Sequence, residues 1–219
     1  MKKLFVFLSL LLIFPTASAS EIRKKDTSEK LVALTFDDGP STKYTLEILD
    51  ILKKYNATAT FFIIGENAEA HPEIIEKIKE AGCEIGNHTW SHKYLDTLSE
   101  KEIFEEIEKT DTLLKKMLGK SVCVFRPPGG RANDKVLKIA ESFGYSTILW
   151  SMDTRDWACP APDSVISSAL TDIKEGDIIL FHDYNARNSP TPEALLKILP
   201  RLIESGYKTV TVSDLILQK

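Results

Sequence analysis

The stretch LVALTFDDGP, residues 31–40, places two adjacent carboxylates directly after a mostly apolar run. The run Leu31–Phe36 is typical of a strand that is buried on both faces, as in a parallel sheet. Asp37 and Asp38 follow at its end, and the Gly39-Pro40 pair that comes next is typical of a turn. This stretch therefore predicts a buried parallel strand that presents acidic side chains at its carboxyl end.

Strand-like and helix-like segments alternate along the chain beyond this stretch. The longest predicted helix begins after Ser99, and Glu102 three residues later completes the pattern of a capping box. The other five helices are expected at 42–55, 71–82, 133–143, 161–173 and 192–205. The seven predicted strands are LVALTF (31–36), ATATFFII (57–64), CEIGNH (83–88), VCVFR (122–126), STILWSM (146–152), DIILFH (177–182) and KTVTV (208–212).

Strict alternation of strands and helices predicts a parallel sheet with helices outside it. Seven strands fit either an incomplete (β/α) barrel or an open doubly wound sheet. Polar residues after five of the strands favour the barrel, because its active sites are built from the carboxyl ends of many strands. No G-x-G-x-x-G motif follows the first strand, which argues against a dinucleotide-binding fold. These polar residues are Asp37, Asp38, His88, His92, Arg126, Asp153, Asp156, His182 and Asp183.

The first residues of the 219-residue chain have the layout of a secretory signal peptide. Two lysines precede an apolar stretch that is short for a spanning helix, and Ala17-Ser18-Ala19 forms an A-x-A cleavage site. We expect a signal peptide at 1–19, a flexible lead-in at 20–30 and one catalytic domain at 31–219. The protein is then secreted and associated with the cell envelope, without stable membrane insertion after cleavage. An uncleaved membrane anchor is the alternative.

The composition bounds the partners of this domain. The formal net charge is −4 and no basic run is present, so nucleic acid is not an expected partner. The three cysteines lack a metal-like C-x-x-C spacing and are too few for a disulfide framework. A single Cys123–Cys159 bridge and buried free thiols at Cys83 and Cys123 both remain open. The expected oligomeric state is a monomer.

Two histidines four residues apart, His88 and His92, indicate a metal site. On a helical turn this spacing puts both imidazoles on one side, and a nearby carboxylate completes a set with open positions for water. The zincin pattern H-E-x-x-H is absent, because Thr89 stands where its glutamate would be. Asp37 and Asp38 point in opposite directions if the backbone is extended, so one can bind the metal while the other serves as a base.

Three later motifs offer further chemistry. Arg126 in FRPPGG can hold a carboxylate ionised, and Gly129 in the same loop lets its backbone amide approach a ligand. Trp157 in DTRDW can form a wall on which a sugar stacks, and His182 in IILFHD can donate a proton. Plain turns, a packed tryptophan and a histidine bonded to a carbonyl are the alternatives. No G-x-S-x-G elbow supports a serine nucleophile.

Together, five motifs resemble those of the polysaccharide deacetylase family, which is carbohydrate esterase family four with the NodB-homology domain. TFDDGP, HTWSH, RPPGG, DTRDW and ILFHD occur in this order and span nearly the whole predicted mature chain. The resemblance implies an α/β fold, a distorted (β/α)7 barrel with a parallel strand core, which agrees with the seven predicted strands. It also implies a metal-dependent deacetylase that acts on a polysaccharide.

The resemblance further implies roles for single residues. Asp38, His88 and His92 would bind a divalent metal, usually zinc and in some members cobalt or nickel. The metal would polarise the acetamide carbonyl. Asp37 would be the base that deprotonates the attacking water, and Arg126 would orient Asp37.

The resemblance assigns the remaining steps to the second half of the chain. His182 would protonate the leaving amine, and Asp156 would tune His182. The backbone amide of Gly129 would help to stabilise the oxyanion, and Leu180 with Trp157 would line the pocket for the acetyl methyl group. Many family members carry an aromatic residue where this chain has Gly129, so one wall of the substrate groove is expected to be missing.

The expected reaction is hydrolysis of the acetamido group of N-acetylated amino-sugar polymers to a free amine and acetate. Peptidoglycan N-acetylglucosamine is the first expected substrate, and chitin oligomers are the second. Some relatives that act on muramic acid carry asparagine in place of the second aspartate of the first motif, whereas Asp38 is retained here. The alternatives are an esterase for O-acetyl xylan or other glycans, a two-carboxylate glycosidase that uses Asp37 and Asp153, and a catalytically silent sugar-binding protein.

Overall fold

The computed structural model describes residues 20–159, 161–184 and 188–218. The predicted signal peptide, residues 1–19, lies outside the described residues. Within the described ranges, no helix combines the length and the apolar character that crossing a bilayer requires.

A single sheet forms the core of the fold. In the described ranges it has nine strands, which are β1 Glu21–Ile22, β2 Leu31–Asp37, β3 Thr60–Ile63, β4 Glu84–Asn87, β5 Val124–Phe125, β6 Ser146–Ile148, β7 Met152–Asp153, β8 Ile178–His182 and β9 Lys208–Thr209. Their order is β1-β6-β5-β4-β3-β2-β8-β7, and β9 pairs with β2. All of these pairs are parallel, as the alternating sequence pattern predicts.

Helices surround the sheet. The described ranges contain α1 Tyr44–Lys54, α2 Gly65–Ala70, α3 Pro72–Glu80, α4 Glu100–Leu118, α5 Asp134–Ser142, α6 Pro162–Leu170, α7 Thr191–Glu204 and α8 Val212–Ile216. The predicted capping box of α4 is present, because Ser99 and Glu102 each accept a hydrogen bond from the other's backbone amide. α2 is too short and polar to show an apolar stripe, so the sequence does not predict it. α8 is not predicted either, because it begins inside the predicted last strand, where its capping residue Thr211 accepts from the Asp214 amide.

The predicted strand at 146–152 is in fact two strands, and this split curls the sheet. Its first part, β6, pairs with β5, whereas its second part, β7, pairs with β8 on the far side of the strand order. Residues 149–151 therefore join two distant parts of the same sheet. The expected distorted barrel with a parallel strand core is confirmed, and this split is one source of its distortion.

The segment at 20–30, for which the sequence predicts a flexible lead-in, contributes a strand to the sheet. Glu21–Ile22 pairs in parallel with β6, and Lys24 forms an antiparallel bridge with Asp177. The Lys25 amide donates to the Gly176 carbonyl at 3.0 Å. The physical reason is that β6 would otherwise leave a row of backbone donors and acceptors unpaired at a sheet edge.

Buried side chains of the central strands hold the carboxyl ends of those strands in place. Every residue of β2 except the first is buried. The ring of Phe36 lies 5.0 Å from that of Phe61 and 5.5 Å from that of Phe181, between centroids, and all three are fully buried. Since these three strands are neighbours in the sheet, this stacking fixes the edge from which the polar residues project.

The cysteines do not form the bridge that the sequence left open. Cys123 carries a free thiol and lies before the amino end of β5, whereas Cys159 lies beyond the carboxyl end of β7. In a parallel sheet these positions are at opposite edges, which explains why the two do not meet. Cys123 is also exposed, so the expectation of a buried thiol there is wrong. Burial raises the pKa of the half-buried Cys83.

Candidate active site and metal centre

The carboxyl ends of the strands bring the predicted site residues to one edge of the sheet. Asp37 is the last residue of β2 and His182 the last of β8, and the register places them opposite each other. His88 directly follows β4, and Arg126 directly follows β5. Asp153 ends β7 beside β8. The convergence predicted from the strand ends is therefore present.

Asp38, His88 and His92 form a cluster that fits a metal ion. Asp38 Oδ1 lies 3.4 Å from His88 Nε2 and 3.1 Å from His92 Nε2, and one ligand atom from each residue lies within 4.8 Å of the others. Asp38 Oδ1 is buried and has no well-formed hydrogen bond among the described residues, as expected of an oxygen that receives a cation. His88 Nδ1 lies 2.6 Å from the Arg126 carbonyl, and donation to this oxygen leaves Nε2 with its lone pair facing the cluster.

The backbone reaches this arrangement by a route that differs from the expected one. Residues 88–92 form a loop and not a helical turn, and Thr89 and His92 have φ values of 69° and 57°. Asp38 has a φ of 75°, so the chain is not extended there, and both aspartates face His88, at 3.7 Å for Asp37 and 3.4 Å for Asp38. Left-handed conformations are strained for residues with side chains and are often found at functional sites.

Glu106 of α4 anchors the loop between the two histidines. Its carboxylate accepts from the Trp90 amide at 3.1 Å, from the Ser91 amide at 2.8 Å and from the Ser91 hydroxyl at 2.6 Å. It also pairs with Lys93 at 3.0 Å. Burial would raise the pKa of Glu106, but these hydrogen bonds outweigh it and lower the pKa. The sequence does not predict this role of Glu106, since nothing in a run of acidic helix residues marks which one faces the loop.

Arg126 connects the predicted base to the split strand. Its side chain is fully buried, and Nη1 donates to Asp37 Oδ1 at 2.7 Å and to the Thr35 hydroxyl at 2.8 Å. Nε donates to the Ile148 carbonyl at 3.1 Å, and Nη2 donates to the Leu149 carbonyl at 3.0 Å. These carbonyls lie where β6 ends. One guanidinium therefore binds the Asp37 carboxylate and also the backbone at the point where the sheet curls.

His182 and Asp156 form a second coupled pair at the same edge. Asp156 Oδ1 lies 2.7 Å from His182 Nδ1, and Oδ2 accepts from the His182 amide at 2.8 Å and from the Thr191 hydroxyl at 2.5 Å. Burial would lower the pKa of His182, but the hydrogen bond to Asp156 and the charges of Asp156, Asp38 and Asp37 raise it to about 9. The pair with Asp156 therefore favours the protonated imidazole, which is the form that a proton donor requires.

Asp183 lies directly beneath the turn that carries the two aspartates. It is fully buried, and its Oδ2 accepts from the Thr45 hydroxyl at 2.5 Å. Burial first, together with the charges of Asp38 and Asp37, raises its pKa to about 7 despite the Thr45 hydrogen bond. A Cβ atom on Gly39 would overlap this carboxylate, so the turn requires glycine. The sequence predicts Asp183 at a strand end and indicates no role for it.

The predicted substrate-binding residues differ in their exposure. Gly129 has a φ of 64° in the loop that follows Arg126. Trp157 exposes 51% of its surface, whereas Leu180 exposes only 3%. Leu180 lies two residues before His182 in β8, so both side chains project from the same face of the strand. Trp157 is thus the more accessible of the two expected pocket residues.

The two carboxylates of the glycosidase alternative lie in unlike settings. Asp37 is buried and paired with Arg126, whereas Asp153 is exposed and accepts from the Arg155 amide at 2.8 Å. Asp37 Oδ2 instead lies 3.7 Å from Nε2 of His88, which belongs to the metal cluster. The arrangement favours a metal-assisted reaction over a pair of carboxylates.

Comparisons with known proteins agree with this geometry. A family model described as polysaccharide deacetylase matches residues 24–148. A peptidoglycan-N-acetylglucosamine deacetylase of Bacillus cereus is 43% identical over 194 residues, which cover 88% of this chain and 91% of the relative. The crystal structure of the Bc1960 peptidoglycan N-acetylglucosamine deacetylase in complex with 4-naphthalen-1-yl-N-oxidanyl-benzamide has a TM-score of 0.87 and 36% identity, and the match covers 91% of this chain and 94% of that one.

The fold is also shared with a protein described as a pseudoenzyme. The crystal structure of BA3943, a pseudoenzyme of carbohydrate esterase family four from Bacillus anthracis, has a TM-score of 0.85 and 34% identity. That match covers 91% of this chain and 70% of BA3943. The family model matches more than half of the chain and the Bacillus cereus relative nearly all of it, so the resemblance seen in the five motifs is confirmed. This chain belongs to the polysaccharide deacetylase family, as a hydrolase that acts on the amide of acetylated polysaccharides.

Proposed function

We propose that the chain is a secreted, metal-dependent deacetylase of peptidoglycan, which removes the acetyl group of N-acetylglucosamine residues. The observation that carries the proposal is the Asp38, His88 and His92 cluster, with Asp37 beside His88 and the His182–Asp156 pair at the same sheet edge. Support for the substrate comes from the relatives at 43% and 36% identity, whose names both specify peptidoglycan N-acetylglucosamine. Chitin oligomers are the second candidate substrate, because they carry the same acetamido sugar.

The donor set suits zinc or a similar divalent ion. Two imidazole nitrogens and one carboxylate oxygen are the ligands of many catalytic zinc sites, in which a further position stays open. When bound, the ion would supply Lewis acidity at the acetamide carbonyl. Cobalt and nickel accept the same donors. His88, whose other ring nitrogen is held by the Arg126 carbonyl, is oriented for this role before any ion binds.

The chain's own residues supply the proton transfers. Asp37 accepts a proton from the attacking water, and the adjacent Arg126 favours its ionised form. His182 gives a proton to the departing nitrogen, because an amine anion is too poor a leaving group to depart unprotonated. Asp156 keeps His182 charged and fixes its ring, with Thr191 as a further anchor. Base and acid thus come from β2 and β8, which are adjacent strands.

We also propose export from the cytoplasm and action as a monomer at the cell envelope. The signal-peptide layout of residues 1–19 supports export. Export would bring the protein to peptidoglycan, which lies outside the cytoplasmic membrane. N-terminal sequencing of the exported protein should give Ser20 as the first residue. A chain that starts at Met1 in the membrane fraction would contradict cleavage.

The proposal is tested by measuring acetate release from peptidoglycan, chitin oligomers and acetylxylan in parallel. We expect release from the first two, more from peptidoglycan, with loss of activity in chelator and recovery on addition of zinc. The chain length of the polymer should not change. New reducing ends would support a glycosidase, and preferential release from acetylxylan would support the O-acetyl esterase. Sugar binding without any release of acetate would indicate a silent binding protein.

A further inference from the structure

Gly129 leaves a bare patch of backbone beside the site, and the ring of Tyr94 lies against it. A Cβ atom on Gly129 would lie 3.0 Å from Tyr94 Cε1 and 3.6 Å from Tyr94 Cδ1. Contacts this short mean that the ring occupies the space into which a side chain at position 129 would extend. The backbone of Gly129 also has a φ of 64°, which disfavours any larger residue there.

The exposed ring of Tyr94 is held in a fixed position. The guanidinium of Arg131 lies 4.6 Å from the ring centroid, and Arg131 Nε pairs with Asp96 Oδ2 at 3.0 Å. The Tyr94 carbonyl accepts from the Thr97 hydroxyl at 2.7 Å, and Leu95 is fully buried. Yet Tyr94 exposes 50% of its surface. The local contacts therefore hold the ring in place, although one of its faces remains exposed to solvent.

The position of this ring relates it to the chemistry. Tyr94 follows the metal-binding residue His92 by two positions, and it contacts the loop that begins at Arg126. A second half-exposed ring, Trp157, directly follows Asp156, with the Arg155 guanidinium 5.6 Å from its centroid. Aromatic faces offer a large apolar area at low entropic cost, and a sugar ring presents a matching apolar face of C–H groups.

We propose that Tyr94 is a substrate-binding residue on which an N-acetylated sugar ring stacks, and that Gly129 and Arg131 allow and brace this position. The inference rests on the proposed function, because the sugar ring that stacks on Tyr94 belongs to the polymer that is deacetylated. It adds a wall to the groove from the HTWSH side, where the glycine in RPPGG provides none. Tyr94 binds substrate and takes no part in proton transfer.

The test compares Tyr94→Ala and Tyr94→Phe with the wild type, using an N-acetylglucosamine oligomer as the probe. Tyr94→Ala should raise KM and the dissociation constant of the oligomer about tenfold, the scale of one good aromatic contact. Its kcat, metal content and hydrolysis of 4-nitrophenyl acetate should stay within about twofold of wild type, because none of these needs a stacked sugar. Tyr94→Phe should keep the wild-type KM. Phe104→Ala, at another exposed aromatic (41%) on α4, is the matched control and should leave KM unchanged.

Arg131→Gln tests the brace and should raise KM by about two- to fivefold, the range of an exposed cation–π contact. An unchanged KM in this variant would contradict the bracing. Acetate release with the same KM and the same oligomer affinity in Tyr94→Ala as in wild type would overturn the stacking role while leaving the proposed function intact. If Tyr94→Ala binds the oligomer more weakly but neither the wild type nor any variant releases acetate, the stacking role would stand and the proposed function would be overturned. A wild type that neither binds nor deacetylates the oligomer or peptidoglycan would overturn both.

Discussion

Arg126 Nη1 donates to Asp37 Oδ1 at 2.7 Å, and both side chains are buried at the carboxyl edge of the sheet. The same guanidinium also donates to the two carbonyls where β6 ends, so Arg126 supports both the fold and the proposed base. Removing one partner of a buried ion pair is destabilising, because the other charge is left without compensation. Arg126 is therefore expected to be required for both stability and activity.

Arg126→Gln should lower the free energy of unfolding by about 3–5 kcal/mol, since it leaves the Asp37 carboxylate unpaired and removes several buried hydrogen bonds. Urea denaturation at neutral pH measures this change. Arg131→Gln is the control, because Arg131 is half-exposed and its ion pair with Asp96 should contribute about 1 kcal/mol or less. Equal losses of stability in the two variants would contradict the account of Arg126.

Asp156→Asn should move the alkaline limb of the kcat/KM profile to lower pH. Asp156 raises the pKa of His182 toward 9, and the proton donor works only below its pKa, so losing the carboxylate makes the donor lose its proton earlier. Without metal, the His182–Asp156 pair contributes most to the free energy of unfolding below the pKa of an unfolded histidine, which is about 6.5. This contribution is lost as the pH rises through the folded pKa of about 9. Asp153→Asn, at an exposed position, should leave the limb in place. An unshifted limb in Asp156→Asn would show that His182 is not the group observed.

Glu106→Ala should weaken metal binding by about 10- to 100-fold, the scale found for residues that orient metal ligands. Its carboxylate holds the Trp90 and Ser91 amides, and with them the loop that ends at His92. Glu106→Gln retains one acceptor oxygen and should lie between Ala and wild type. The neighbouring Glu105 is exposed and pairs with Lys101 at 3.7 Å, so Glu105→Ala is a control expected to keep full affinity. A purely structural role would lower stability in Glu106→Ala and leave the affinity for zinc unchanged, as measured by competition with a chelator.

The sequence predicts those features that depend on local pattern. The run before Asp37 marks a buried strand, and parallel strands necessarily bring their carboxyl ends to one edge, so the meeting of Asp37, His88, Arg126 and His182 follows from the order of segments. The β1 strand could not be predicted in this way, because Glu21–Ile22 is ordered by an edge of β6 that lies more than a hundred residues away in the chain.

Residues that support the site from a distance escape sequence reasoning for the same reason. Thr35 and Thr191 become important only through their bonds to Arg126 and Asp156, and neither has a distinguishing sequence context. The left-handed backbone of Asp38 was also missed, because an extended chain was the simpler assumption after a strand. Asp38 lies 3.4 Å from His88 and 3.1 Å from His92, and this proximity to both histidines makes it the aspartate of the cluster.

The two neighbouring aspartates give the most direct test of the proposed mechanism. Asp38→Asn replaces an anionic ligand by a neutral one, so it should lose metal, by about 10- to 100-fold or more in affinity, and excess zinc should restore some turnover. Asp37→Asn should retain metal yet lose about 10²- to 10⁴-fold in rate, because no proton acceptor remains and zinc cannot replace it. His88→Ala serves as the reference for loss of a ligand.

The deciding measurement is metal content together with acetate release for Asp37→Asn and Asp38→Asn, each with and without added zinc. The account predicts a metal-retaining, unrescued Asp37→Asn and a metal-poor, partly rescued Asp38→Asn. The reverse pattern would show that the ligand and the base have been exchanged, and full activity of both variants would contradict a metal-assisted deacetylase at this site.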